Sequence, residues 1–190
     1  RAALLTGQYP HEQGMLGNLG RGFALRDPTQ HIATRLRASG YVSALAGIQH
    51  VARDPRTVGY DLILGPRETA HDTARSFLLH SPPQPFFLSV GFHETHRPFP
   101  TERDKEADRA AEYCRPPAHL PVTPETVADM AGFRRSLSAL DHKVGVVLDA
   151  LAESGLAEST LVIATTDHGP AFPQMKCTLR DDGIGVYLIL

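Results

Sequence analysis

The sequence is poor in lysine. Lys105, Lys143 and Lys176 are the three in a chain of 190 residues that carries ten histidines. It has two cysteines, Cys114 and Cys177, and neither belongs to a Cys-x-x-Cys pair, so no disulfide framework is expected. No apolar run approaches the ~20 residues that a membrane-spanning helix needs, so no such span is expected. Charge of one sign is not in excess: 19 Lys and Arg face 21 Asp and Glu, for a net charge of −2. A nucleic-acid binder would show a basic excess or stripe, and this chain shows neither. What remains is 42% apolar and 21% charged, the balance of an ordinary globular protein long enough to bury a core without cross-links. We read 1–190 as a single domain. The chain opens on Arg1 rather than Met and closes on the apolar run 185–190 with no polar stop. Strands are normally bounded by turn residues, so the sequence is expected to be an internal fragment of a longer protein.

Local signals alternate between helix and strand. Asp27-Pro28 is a helix start, Asp as N-cap and Pro at the first helical position, with Gly40 as the C-terminal stop. Short apolar stretches over 41–46 and 161–165 predict buried strands, and 86–92 predicts a further strand. A helix is predicted over about 69–80. The clearest helix opens at Thr123-Pro124-Glu125 and ends at Gly155, with Val127, Met130, Phe133, Leu137, Leu140, Val144, Val147 and Leu151 spaced by three and four. The Pro-rich, charged stretch 97–124 predicts a surface excursion. This alternation predicts an α/β fold with a largely parallel sheet.

Ligands of such sheets bind beyond the carboxyl ends of the strands. Three predicted strands run into titratable groups there. Strand 41–46 leads to His50, strand 86–92 to His93-Glu94-Thr95-His96-Arg97-Pro98, and strand 161–165 to Asp167-His168-Gly169. Parallel strands would bring these groups to one edge. Each also has a plainer reading: His50 as a solvated loop residue, His93 or His96 as a turn stabiliser, Asp167-His168-Gly169 as a simple turn. A carboxylate beside an imidazole suits a divalent metal, though two ligands do not complete the shell of Ca²⁺ or Mg²⁺. His93-Glu94-Thr95-His96 is one residue short of the helical HExxH zinc signature, and no G-x-S-x-G elbow or P-loop is present. Asp61, Asp141 and the carboxylates of 102–112 read as surface or helix charges. Lys143, on the long helix, is expected to be nearly silent on replacement by alanine.

These residues resemble the type I sulfatase family. Arg1-Ala-Ala-Leu-Leu-Thr-Gly is similar to the second half of that family's signature, which begins Cys-x-Pro-Ser/Ala-Arg. Gly91-Phe-His-Glu-Thr-His-Arg-Pro-Phe99 resembles its His-Pro segment. Leu140-Asp141 with Val144-Gly145 resembles the helix before its last metal strand. Thr166-Asp167-His168-Gly169 with Lys176-x-Thr178-Leu179 resembles its second metal motif and sulfate-binding lysine. The resemblance implies an alkaline-phosphatase-like fold, a mainly parallel central sheet with helices on both faces. It implies hydrolysis of a sulfate ester or sulfamate, on a small-molecule or saccharide sulfate, by a formylglycine made from the signature cysteine. That cysteine would lie four residues before Arg1, and the fragment alone would be inactive.

The resemblance implies residue roles as well. Asp167 and His168 would ligate Ca²⁺ or Mg²⁺, Arg1 would steady the formylglycine, and His50 would assist breakdown of its sulfated hydrate. Lys176 and His96 would hold the sulfate and help protonate the leaving group. The family often has Gly-Lys-x-His where this chain has Gly47-Ile48-Gln49-His50, and Ile48 supplies no cation. Cys114-Arg115-Pro116-Pro117-Ala118 is not a second signature, since it lacks Ser or Ala at its fourth position and Arg at its fifth. Two other readings stand beside this one: a phosphomonoester, phosphodiester or phosphonate hydrolase of the same superfamily, and a catalytically silent α/β binding domain.

Overall fold

The computed structural model describes residues 1–101 and 113–190, so the carboxylates of 102–112 and the middle of the 97–124 stretch lie outside the described residues. Two compact units divide the chain. The first comprises 1–93 with 146–160, and the second 94–145 with 161–190.

The first unit is built on a three-stranded sheet of β1 (Val42–Gly47), β2 (Leu62–Gly65) and β3 (Phe86–Gly91), in the order β2-β1-β3. Both pairings are parallel, with Val42 opposite Phe86 and Gly47 opposite Gly91. The period of two along these strands sorts their side chains to two faces. Two short helices, α1 (Ala2–Thr6) and α2 (Pro10–Gln13), precede α3 (Ile32–Ala38), and Leu45 and Phe87 pack with Ala33, Val51, Val58 and Tyr60 on the face that α3 covers. Ala46, Leu88 and Val90 pack with Ala70 and Ala74 of α4 (Ala70–Leu79) on the other. Small residues let the helix backbone come close: Ala44, Ala46, Ala70 and Ala74 are all fully buried. Helices thus cover both faces of a parallel sheet, as expected.

Two details depart from the sequence reading. Asp27 caps only a 3₁₀ turn, Pro28–Gln30, by accepting from the Thr29 N–H at 2.9 Å. His31 is extended (φ −65°, ψ 138°) and caps α3 itself, its Nδ1 accepting from Ala33 N–H at 3.1 Å. The interruption places the His31 imidazole in the core, edge-on to Tyr60 at 5.5 Å. Gly40 then ends the helix at φ 87°, where Tyr41 N–H bonds Leu36 and Gly40 N–H bonds Arg37 in a Schellman turn. Strand β2 was not expected at all. It is an edge strand of four residues with Leu62 and Ile63 half open, so it lacks the long buried run that marks β1 and β3.

Burial pushes the His31 pKa down to about 4. The unfolded chain therefore binds more protons than the folded one between pH 6.5 and 4, and stability is lost as pH falls through that window. Urea denaturation is expected to show a loss of about 2 kcal/mol from this group between pH 7.5 and pH 5. The His31→Asn variant keeps a capping oxygen and should lack that component; an unchanged pH slope would contradict the assignment.

The second unit gathers around Phe99, Phe172 and Met175, with Leu120, Met130, Phe133 and Ala171 packed against them. Phe99, Phe133 and Phe172 form a ring triangle with centroids 5.5–5.7 Å apart. The long helix α5 (Pro124–Glu153) supplies Met130 and Phe133, and Thr123 caps it by accepting from Thr126 N–H at 3.3 Å. Its last turns belong to the first unit, where Ala150 and Leu151 pack on Leu78 of α4. The stretch 161–165, expected as a buried strand, is instead a two-residue strand β4 (Ala164–Thr165). It pairs antiparallel with β5 (Leu188–Ile189). Having that one described neighbour, it leaves Leu161 and Ile163 74% and 52% exposed. A one-turn helix α6 (Asp181–Ile184) precedes β5.

Candidate active site

In the first unit, the carboxyl ends of β1 and β3 meet glycine to glycine. Ile48 N–H donates to Gly91 O at 3.1 Å, and a Cβ on Gly91 would fall 1.8 Å from Ile48 O. The loop that follows is tied by the buried Gln49, whose Oε1 accepts from Val51 N–H at 2.5 Å and Ala52 N–H at 2.9 Å. That tie leaves His50 exposed at the loop tip with φ 52°, a conformation uncommon for residues other than glycine. Arg1 Nη1 donates to Gln49 O at 3.0 Å, so the N-terminal segment and the His50 loop are joined at this end of the sheet. His93 follows β3 by two residues, its Nδ1 3.4 Å from Arg67 Nη1.

In the second unit, His96 and Lys176 line one cavity of about 590 Å³. Arg97, Thr126, Asp129 and Phe172 share its wall. The His96 Nδ1 lies 2.7 Å from Arg97 O. A carbonyl only accepts, so Nδ1 carries the proton in this contact.

The segment bearing His96 lies along α5. Glu94 pairs with Lys143, Thr95 N–H donates to Ser136 Oγ at 2.7 Å, and Arg97 pairs with Asp129. Asp129, Ser136 and Lys143 are spaced by seven, which puts them on one stripe of the helix. Lys143, expected from its helix position to be nearly silent, is thus paired: the half-buried Glu94 carboxylate recruits it. Asp129 and Ser136 went unread because the helix was judged by its apolar positions. Their seven-residue spacing was the signal.

Asp167 and His168 follow β4 directly. The His168 Nδ1 bonds Gly169 O at 2.8 Å, which again leaves Nε2 with the lone pair, 3.5 Å from Asp167 Oδ1. A metal-ligating histidine is commonly held in this way, through a carbonyl bond at its other nitrogen. The two donors fit two positions of a divalent-ion shell. Among the described residues no cluster of three or more such donors occurs. Close packing fixes the segment: Gly169 N–H donates to Gly183 O at 3.0 Å, and a Cβ on Gly169 would fall 1.8 Å from Asp182 O. Asp167 and His168 are not part of the cavity lining that holds His96 and Lys176.

Comparison with known proteins adds to this geometry. The model of the Sulfatase family matches residues 65–183. The chain is 29% identical to human N-sulphoglucosamine sulphohydrolase, with 100% of the chain and 44% of that protein covered. It is 28% identical to human arylsulfatase A, with 93% and 43% covered. The chain thus spans less than half the length of these curated relatives. Among solved structures, one from work on the metabolism of multiple glycosaminoglycans by Bacteroides thetaiotaomicron superimposes with a TM-score of 0.68. That match is at 18% identity, over 87% of this chain and 48% of the other, and it supports the alkaline-phosphatase-like α/β fold. With the family match covering well over half of its residues, the chain belongs to the sulfatase family.

Proposed function

We propose that the full-length protein hydrolyses a sulfate ester or sulfamate and that this chain supplies the cationic and proton-transferring part of its site. The observation that carries this reading is the meeting of His96 and Lys176 in one cavity of a sulfatase-family chain. In the family at large, Ca²⁺ and a formylglycine are the usual reactive groups. A divalent ion at Asp167 and His168 would stabilise charge on the sulfuryl oxygens, and a formylglycine placed upstream of Arg1 would supply the nucleophile.

Each residue here has a task that suits its chemistry. Lys176 is a flexible ammonium able to act as a point charge on a sulfate oxygen. His96, with its Nδ1–H fixed on a carbonyl, can take up a second proton at Nε2 and, as the imidazolium, deliver it to the leaving oxygen or nitrogen. Arg1, anchored on Gln49 O, would steady the nucleophilic segment, and His50 at the tip of the same loop would serve as a base. Ile48 contributes no charge to the loop it shares with His50.

Names of the relatives favour a saccharide substrate: N-sulphoglucosamine sulphohydrolase and a Bacteroides thetaiotaomicron endo-4-O-sulfatase both match the chain. Sulfate released from N-sulfated glucosamine and from O-sulfated hexosamines, measured by ion chromatography on the full-length protein, tests the proposal. Release from at least one of them is expected. If both sugars and an aryl sulfate are all refused by folded, metal-loaded protein, the reading is wrong.

A further inference from the structure

Arg97 belongs to neither the proposed sulfate contacts nor the proposed metal ligands, yet its guanidinium is engaged on every side. Nη1 donates to Asp129 Oδ1 at 2.8 Å and Nη2 to Asp129 Oδ2, a two-pronged pair with α5. Nε donates to Ala171 O at 2.6 Å. The plane lies 4.4 Å from the Phe99 ring centroid and 5.4 Å from that of Phe172. An exposed ion pair would ordinarily contribute little to stability. Here the same cation joins three chain segments at once.

Two of those segments carry the chemistry. His96 precedes Arg97 and holds the Arg97 carbonyl through its ring. Ala171 opens a closed turn in which Phe172 N–H and Lys176 N–H both donate to Pro170 O, at 2.9 and 3.1 Å. Met175 N–H closes it further on Phe172 O at 3.1 Å. The third segment is α5, a rigid reference that also grips Thr95 and Glu94 through Ser136 and Lys143. Thr95 sits at φ 69°, a conformation that such a grip must maintain.

We propose that Arg97, clamped on Asp129 and Ala171 and stacked on Phe99 and Phe172, is the positioning residue that fixes the separation of His96 and Lys176. The proposal rests on the sulfatase reading of those two side chains. Lysine cannot replace Arg97: a single ammonium cannot serve a carboxylate fork and a carbonyl while stacking between two rings.

The test is a double-mutant cycle on the full-length protein, read by steady-state hydrolysis of the sulfate ester that the wild type turns over best. Arg97→Ala is expected to lower kcat by roughly 10–100-fold, the scale for misplacing a reacting group by about an ångström. KM should change by less than about 3-fold, because the sulfate contacts themselves remain. Arg97→Lys should fail to rescue kcat. In Arg97→Ala/Lys176→Ala the combined loss should be at least ~10-fold smaller than the product of the single losses. Independent, multiplicative losses would mark Arg97 as merely structural and overturn the proposal. Unchanged kcat in Arg97→Ala beside an impaired Lys176→Ala would overturn it too, while leaving the sulfatase reading intact. An unimpaired Lys176→Ala would remove that reading and the proposal with it. Should Arg97→Ala fail to fold, judged by its circular dichroism and melting curve, Asp129→Asn enters the same cycle. It keeps the shape of Asp129 while removing its charge, and the same two patterns, coupled or multiplicative, decide the outcome.

Discussion

Replacing Lys176 by alanine in the full-length protein is expected to cut sulfate-ester turnover by roughly 10²-fold or more, the scale for losing a preorganised group that stabilises transition-state charge. Lys176 is one of three lysines in the chain and shares its cavity with His96. It is half-buried at the end of a turn closed by backbone bonds to Pro170, which holds its backbone at the cavity wall. Lys143 offers the contrast: its charge answers Glu94 in the segment before His96. Lys143→Ala should therefore lower turnover by less than ~10-fold, through loop placement, and not be silent as its helix position alone implies. Steady-state hydrolysis of an aryl sulfate, or of a sulfated sugar, compares the two. Wild-type turnover in Lys176→Ala would remove that residue from the site and revive the silent-domain reading.

A second large effect is expected at Asp167. Asp167→Ala in the full-length protein should abolish activity and weaken Ca²⁺ binding, measured by calorimetric titration of metal-stripped protein. Asp141→Ala should do neither. Asp167 follows β4 and lies beside His168, whose Nε2 lone pair is freed by the Nδ1 bond to Gly169. Asp141 lies on an exposed turn of α5. Removing one charged ligand from a carboxylate–imidazole pair leaves too few donors to hold an oxygen-preferring cation. Equal loss of Ca²⁺ affinity in both variants, with the fold intact, would show the carboxylates to be wrongly assigned.

What could be read from residues alone follows from where burial acts. Strands β1 and β3, and helices α4 and α5, were legible because each buries a face against a core and so carries a strong periodic pattern. The edge strand β2 escaped because its side chains stay half open, and β4 was drawn too long because the β-branched run 161–165 continues past its two-residue ladder. His31 escaped for another reason. A cap residue that is also a core residue has no sequence signature, and the Asp27-Pro28 signal before it drew the helix start forward. At the site, His50, His96, Asp167 and His168 were singled out because polar groups soon after apolar stretches stand out, and Lys176 by its resemblance to the family's sulfate-binding lysine. Arg97, Asp129 and Ser136 did not stand out, since their meaning lies in contacts between segments 32 to 74 residues apart.

On the proposed reading, the cavity lined by His96 and Lys176 serves transfer of a sulfuryl group and not of a phosphoryl group. A matched pair of aryl esters differing only in that group, offered to the full-length metal-loaded protein, tests it most directly. Turnover of the sulfate ester at least ~10²-fold above that of the phosphate ester, lost in Lys176→Ala, is the predicted result. Preferred hydrolysis of the phosphate ester would contradict the account.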